Sequence, residues 1–172
     1  LAQRKPIARL TPTQFGQLTI LGLTQTTIQY TFFYIGLAYT TGVNGSIMNA
    51  TGTFFSVLLA HFIYHNDKLS YNKTLGCVLG FTGVMLVNFH GGLSDFQFVW
   101  QGDGFVVLAA FILSAATLYG KRISQTVDPT VMTGWQLAIG GAALVAGGYA
   151  TGGALEVHSM KAVAVLGYLT LL

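Results

Sequence analysis

The sequence predicts an all-α fold, a polytopic transmembrane helical bundle with about six spans, and three observations carry that prediction. First, 52% of the 172 residues are hydrophobic and only 8% are charged, against a usual ~25% charged in a soluble domain. Second, charge is absent over long runs: no Asp, Glu, Lys or Arg stands between Arg9 and Asp67, nor within 74–94, 104–120, 129–155 or 162–172. Apolar helices need roughly 20 residues to cross a bilayer. Third, the basic residues alternate from loop to loop, as a zigzag of helices requires.

Each span is bounded by turn chemistry. The first long run is too long for one helix and divides best at Thr40-Thr41-Gly42-Val43-Asn44-Gly45, where glycines and an Asn supply turn residues. Helix A is then expected over about 15–39 and helix B over about 45–65. The charged segment from Asp67 to Lys73 leads into helix C, about 73–90, which breaks at His90-Gly91-Gly92. Helix D is expected over about 102–122, ending at Lys121-Arg122. Asp128-Pro129 marks the start of helix E, about 129–150, because Pro is favoured in a first helical turn. Helix F begins near Lys161 and is still apolar at Leu172.

The loops carry, in order, Arg4/Lys5/Arg9; no charge; Lys68/Lys73 with Asp67; Asp95/Asp103; Lys121/Arg122 with Asp128; and Lys161 with Glu156. The positive-inside tendency therefore places loops 1–14, 66–73 and 121–128 in the cytoplasm of a multi-pass inner or plasma membrane protein. The chain opens with Leu inside a basic loop and stops within helix F, so it is expected to be an internal piece of a longer polypeptide.

Several classes of function are excluded. The net charge of +3 comes from membrane-flanking residues and not from a basic face, which argues against nucleic acid. One cysteine, Cys77, cannot form an intramolecular disulfide, and the Cys/His pattern of a zinc site is missing. No catalytic constellation, metal site or cofactor is expected. Gly102-Asp103-Gly104 lacks the Lys-Ser/Thr of a phosphate loop, and His61 and His65 read as interfacial histidines and not as a metal pair. No ionisable residue lies deep in a span, where such groups mark ion and proton paths. A proton acceptor would have to be His61, a boundary acid such as Asp103, or a residue elsewhere.

The polar residues inside the spans are the candidates for solute contact. Gln25 and Gln29 stand one turn apart in helix A, and buried amides rarely face lipid. The bland alternative is hydrogen bonding between helices, worth ~0.6 kcal/mol each. In helix B, Gly45, Asn49, Gly52, Ser56 and Ala60 share one stripe with Thr53 beside it. Close helix packing suits the glycines, whereas Asn49 and Thr53 divide evenly between packing and cavity lining. Gly76-x-x-x-Gly80 in helix C permits close crossing but names no partner. Trp135 and Gln136 read by default as core or interface.

Tyr34-Ile-Gly-Leu-Ala-Tyr-Thr-Thr-Gly-Val resembles the "aLkyts" segment of EamA-domain proteins in the drug/metabolite transporter superfamily. Thr53-Phe-Phe-Ser-Val-Leu-Leu-Ala with the exit loop Asn66-Asp67-Lys68 is similar to the family's penultimate repeat helix, and Gly76, Gly80 and Gly83 to its closing one. The chain departs from the family pattern at Asn66-Asp67, often Gly-Glu, and at Gly52 to Phe54, often containing Pro. The resemblance implies ten helices in two inverted repeats, of which helices A to F would be the third to eighth. Residues 1–92 would close the first repeat and 93–172 open the second. It also implies a secondary transporter that exports or exchanges small metabolites, amino acids and drugs among them, by alternating access. The family's cavity is lined partly by its third, fourth and sixth helices, which favours Gln25, Gln29, Asn49 and Thr53 as substrate-binding, with Ser114 added from helix D. The expected partners are a small-molecule solute and the lipid bilayer, with a second copy of the chain as a further candidate. The alternatives are a non-transporting membrane scaffold or assembly subunit and a membrane-embedded enzyme.

Overall fold

A computed structural model describes residues 10–64, 70–88 and 99–152. The described residues are helical, with no strand among them. Helix A is α1 (Pro12–Gly22), a π-helical segment (Leu23–Ile28) and α2 (Gln29–Tyr39) in unbroken succession. Helix B is α3 (Gly42–Ile63) and helix C is α4 (Tyr71–Asn88). Helix D is a short π segment (Trp100–Gly104) leading into α5 (Phe105–Ile123), and helix E is α6 (Pro129–Ala150). Helix F, loop 66–73 up to Leu69 and loop 91–102 up to Phe98 lie outside the described residues.

Local chemistry sets these boundaries. Thr11 and Gln14 form a reciprocal capping box ahead of Pro12. The Thr41 hydroxyl accepts from the Asn44 N–H at 3.2 Å, starting α3 at Gly42, inside the predicted break and three residues before the expected start. Asp128 accepts from the Thr130 N–H at 2.9 Å and Pro129 takes the first helical position of α6. Among the described residues, three helices are long and apolar enough to cross a membrane: Gly42–Ile63, Trp100–Ile123 and Pro129–Ala150. Large apolar side chains such as Phe62, Leu79 and Leu86 are exposed on the outside of the bundle, where lipid, not water, is the natural solvent.

The ends of the helices gather on two opposite faces. On one, the Phe15 and Trp135 rings meet edge to face at 5.6 Å. On that face too, Tyr64 donates its hydroxyl to the Leu118 carbonyl at 3.0 Å, and Lys121 sits 5.0 Å over the Tyr64 ring. On the other, Thr40 meets Asp103. These contacts place the termini of α1, α3, α5 and α6 as a zigzag demands. Within the bundle α3 lies along α5 and also carries α4. Helix A leans on α6 through α1 and the π segment, and on α5 through α2.

Candidate substrate cavity

The π segment carries three threonines, Thr24, Thr26 and Thr27. Thr24 donates to the Ile20 carbonyl at 2.8 Å and approaches that of Leu21 at 3.2 Å. Such back-bonding loosens a helix, and the Gln29 N–H closes the segment by reaching Thr24, five residues back. π turns of this kind recur at functional sites.

Two close approaches fix helix A on either side of this segment. A Cβ on Gly22 would lie 2.8 Å from the Gln136 carbonyl oxygen, and one on Gly140 would lie 2.5 Å from the Gly22 oxygen. The Thr27 hydroxyl donates to the Gly140 carbonyl at 3.0 Å beside this contact. Fourteen positions along the helix, a Cβ on Gly36 would lie 2.8 Å from the Gly102 oxygen, and one on Gly102 would lie 2.8 Å from the Tyr39 backbone. There Asp103 is fully buried. One of its oxygens accepts from the Thr40 hydroxyl at 2.5 Å and the other from the Val99 N–H at 2.8 Å.

Between the two approaches a cavity of about 260 Å³ lies beside helix A. Gln25, Gln29, Tyr30 and Phe33 of helix A line it, with Asn49 from α3, Leu113 from α5 and Gln136 from α6. Gln29 is 5% exposed and Gln136 9%. Among the described residues neither side-chain amide has a hydrogen-bond partner, and no polar side-chain atom sealed from solvent lacks one. The two amides are therefore open to the cavity, and a polar molecule inside it would satisfy them. Gln25 reaches Thr117 only at 3.5 Å, a marginal hydrogen bond.

Of the residues selected from sequence, the structure brings Gln25, Gln29 and Asn49 together at this cavity. Thr53 is exposed and is not in its lining. Ser114 is buried, and its hydroxyl is shared between the Gly52 and Ala110 carbonyls, each at 2.8 Å, while accepting from Ser56 at 3.1 Å. It holds α3 against α5. The small-residue stripe of helix B serves the same contact through Gly52 and Ser56. Sequence reasoning missed Gln136 by reading it as core. The rule applied to Gln25 and Gln29, that an amide within an apolar span rarely faces lipid, would have found it.

The EamA-like transporter family matches residues 1–89, half of the chain. The chain belongs to this family, within the drug/metabolite transporter superfamily. An uncharacterized transporter of Archaeoglobus fulgidus is 27% identical over 171 residues, covering 98% of this chain and 58% of its own length. A chloroplastic WAT1-related protein of Arabidopsis thaliana is 26% identical over 75% of this chain and 31% of its own. An uncharacterized transporter of Methanothermobacter thermautotrophicus is 29% identical over 80% and 40%. The chain thus spans less than two thirds of the length of each of these relatives. No solved structure matches it significantly.

Proposed function

We propose that this EamA-family chain forms part of a secondary transporter that exports or exchanges a small polar or amphipathic metabolite, amino acids and drugs included, by alternating access. The observation that carries the reading is the pair of buried amides, Gln29 and Gln136, open to one cavity without a protein partner among the described residues. Amides offer both donors and acceptors, and Tyr30 and Phe33 add aromatic surface for the apolar part of a solute. The cavity volume lies near the lower end of ligand sites, roughly 300 Å³ and upward, which suits a chain that covers 58% of its relative. Helix E would then join helices A and B in contacting the solute. Residues 1–92 would complete the first repeat, and 93–172 would begin the second. The family match ending at residue 89 supports that division. Loops 1–14, 66–73 and 121–128 would face the cytoplasm.

The test is a thermal-stabilisation screen of small metabolites on the full-length protein, followed by uptake into proteoliposomes. Gln29→Leu and Gln136→Leu should each abolish stabilisation and transport of the solute found, while the solute-free melting temperature holds or rises. Unchanged transport in the double variant would sink the cavity reading and favour a scaffold. Cysteine labelling at Lys68 and Gln125 from the cytoplasmic side tests the orientation.

A further inference from the structure

A second cleft of about 420 Å³ opens on the face where α5 ends and α1 and α6 begin. Gln17 of α1, Tyr119 and Arg122 of α5, and Gln125 and Thr126 of the following turn line it. Apart from Ile123, which also lines the cleft, every one of these side chains carries a hydrogen-bond donor, and no carboxylate is among them. The neighbouring groups are committed elsewhere. Lys121 turns to the Tyr64 ring, Ser124 donates to the Lys121 carbonyl, and Asp128 caps α6. Thr126 donates to the Ile123 carbonyl. Among the described residues, the Gln17 amide, the Tyr119 hydroxyl, the Arg122 guanidinium and the Gln125 amide have no hydrogen-bond partner, although Gln17 and Tyr119 are partly buried. Tyr119 packs on the buried cluster of Leu18, Leu21, Ala116, Ile123 and Val127, which gives the cleft a fixed apolar floor.

We infer that this cleft binds a phosphoryl group. Donors of this kind around one unpaired guanidinium fit an anion that only accepts, and Arg matches phosphate oxygens with two parallel N–H bonds. The cleft stands at the end of a membrane-spanning helix and above an apolar floor, so the group can come from a phospholipid head or from free phosphate in solution. The site is separate from the transport cavity and does not depend on that reading.

The experiment is thermal stability of the full-length protein in detergent, titrated with phosphatidylglycerol, with diacylglycerol of the same acyl chains, and with inorganic phosphate against chloride at equal ionic strength. Phosphatidylglycerol should stabilise the protein where diacylglycerol does not. Arg122→Gln should weaken the apparent affinity about tenfold, Arg122→Lys less, and Lys121→Gln not at all. Tyr119→Phe and Gln17→Leu, which remove a donor and no charge, should weaken it by a smaller factor, and that distinguishes a built site from general charge attraction. Melting without ligand confirms that each variant folds. An equal response to inorganic phosphate, lost in Arg122→Gln, identifies the free ion as the source and upholds the site. No stabilisation by either, or equal losses in Lys121→Gln and Arg122→Gln, overturns it.

Discussion

Helix A meets the bundle at two junctions made of different materials. At Gly22 and Gly140 the contact with α6 is backbone on backbone, with one hydroxyl, Thr27, donating across it. At Gly36 and Gly102 the contact with the start of α5 is equally close but is closed by a fully buried carboxyl group that takes one bond from Thr40 and one from Val99. At the first junction the closest contacts are backbone atoms and the Thr26 Cβ, which cannot yield unless the helix moves. The second is held by discrete hydrogen bonds, which can break and reform. The cavity and the π segment lie between them, so a motion that opened the cavity to one side would have to release one junction while the other served as the pivot. The Thr40–Asp103 end is the one chemistry equips for release.

The largest effect is expected at the rigid junction. Gly140→Ala puts a methyl group 2.5 Å from the Gly22 oxygen and from the Thr26 Cβ, and neither can move without shifting a whole helix. A loss of about 3 kcal/mol or more is expected, read as a fall in thermal midpoint in detergent. Gly52→Ala makes the control. There the added Cβ meets Ala110 and Ser114 at an ordinary 3.6 Å, and stability should stay within about 0.5 kcal/mol.

The hydrogen-bonded junction should cost less and show coupling. Asp103→Ala leaves the Val99 N–H and the Thr40 hydroxyl without their acceptor, a penalty of about 2 kcal/mol. Thr40→Val alone should cost less, and the double variant should fall short of the sum because both single changes break the same bond. Additive losses would show that the two residues act independently and would remove the latch from the comparison. If this end is the releasing one, both single variants should raise the labelling rate of a cysteine placed at Asn49 from the Thr40 side.

The outline of the bundle was legible in the sequence because it depends on local rules. Loop charges, the Thr40–Gly45 turn and Asp128-Pro129 placed five helices within a few residues of their described bounds. The junctions were not legible, for two physical reasons. A count of 100° per residue assumes α-winding throughout, whereas Leu23–Ile28 is wound as a π-helix. Close approach also depends on which helices cross and where. Gly22 and Gly140, neither of which belongs to a Gly-x-x-x-Gly pair, carry a tight contact, while Gly76 and Gly80 at the recognised spacing have no atom within 4 Å of a built Cβ among the described residues. Gln25, Gln29 and Asn49 were found as amides in apolar spans. Gln136 obeys the same rule, although its default reading from the sequence is core or interface.

Thr27→Val tests how much the rigid junction owes to its one hydroxyl. The bond to the Gly140 carbonyl is 3.0 Å long, and valine keeps the branched shape that fills the space. Hydrogen bonds between membrane helices contribute ~0.6 kcal/mol on average, so the thermal midpoint should move only slightly. A loss near that of Gly140→Ala would show that the hydroxyl, and not the backbone contact, holds α1 to α6, and the two junctions would then be of one kind.

The smallest effect is expected at Gly76→Ala in α4, and it bears on the part of the comparison that the two junctions leave open. α4 packs chiefly on α3 among the described elements, and its Gly76, Gly80 and Gly83 face no neighbour there. An alanine at Gly76 should change stability by less than about 0.5 kcal/mol if that face meets lipid. A loss of about 2 kcal/mol in the full-length protein would mean that a helix outside the described residues, or a second copy, seats on it as closely as Gly140 seats on Gly22. The glycine spacing of α4 would then mark a close crossing, and the contrast between glycines inside and outside that spacing would reflect only which neighbours are described.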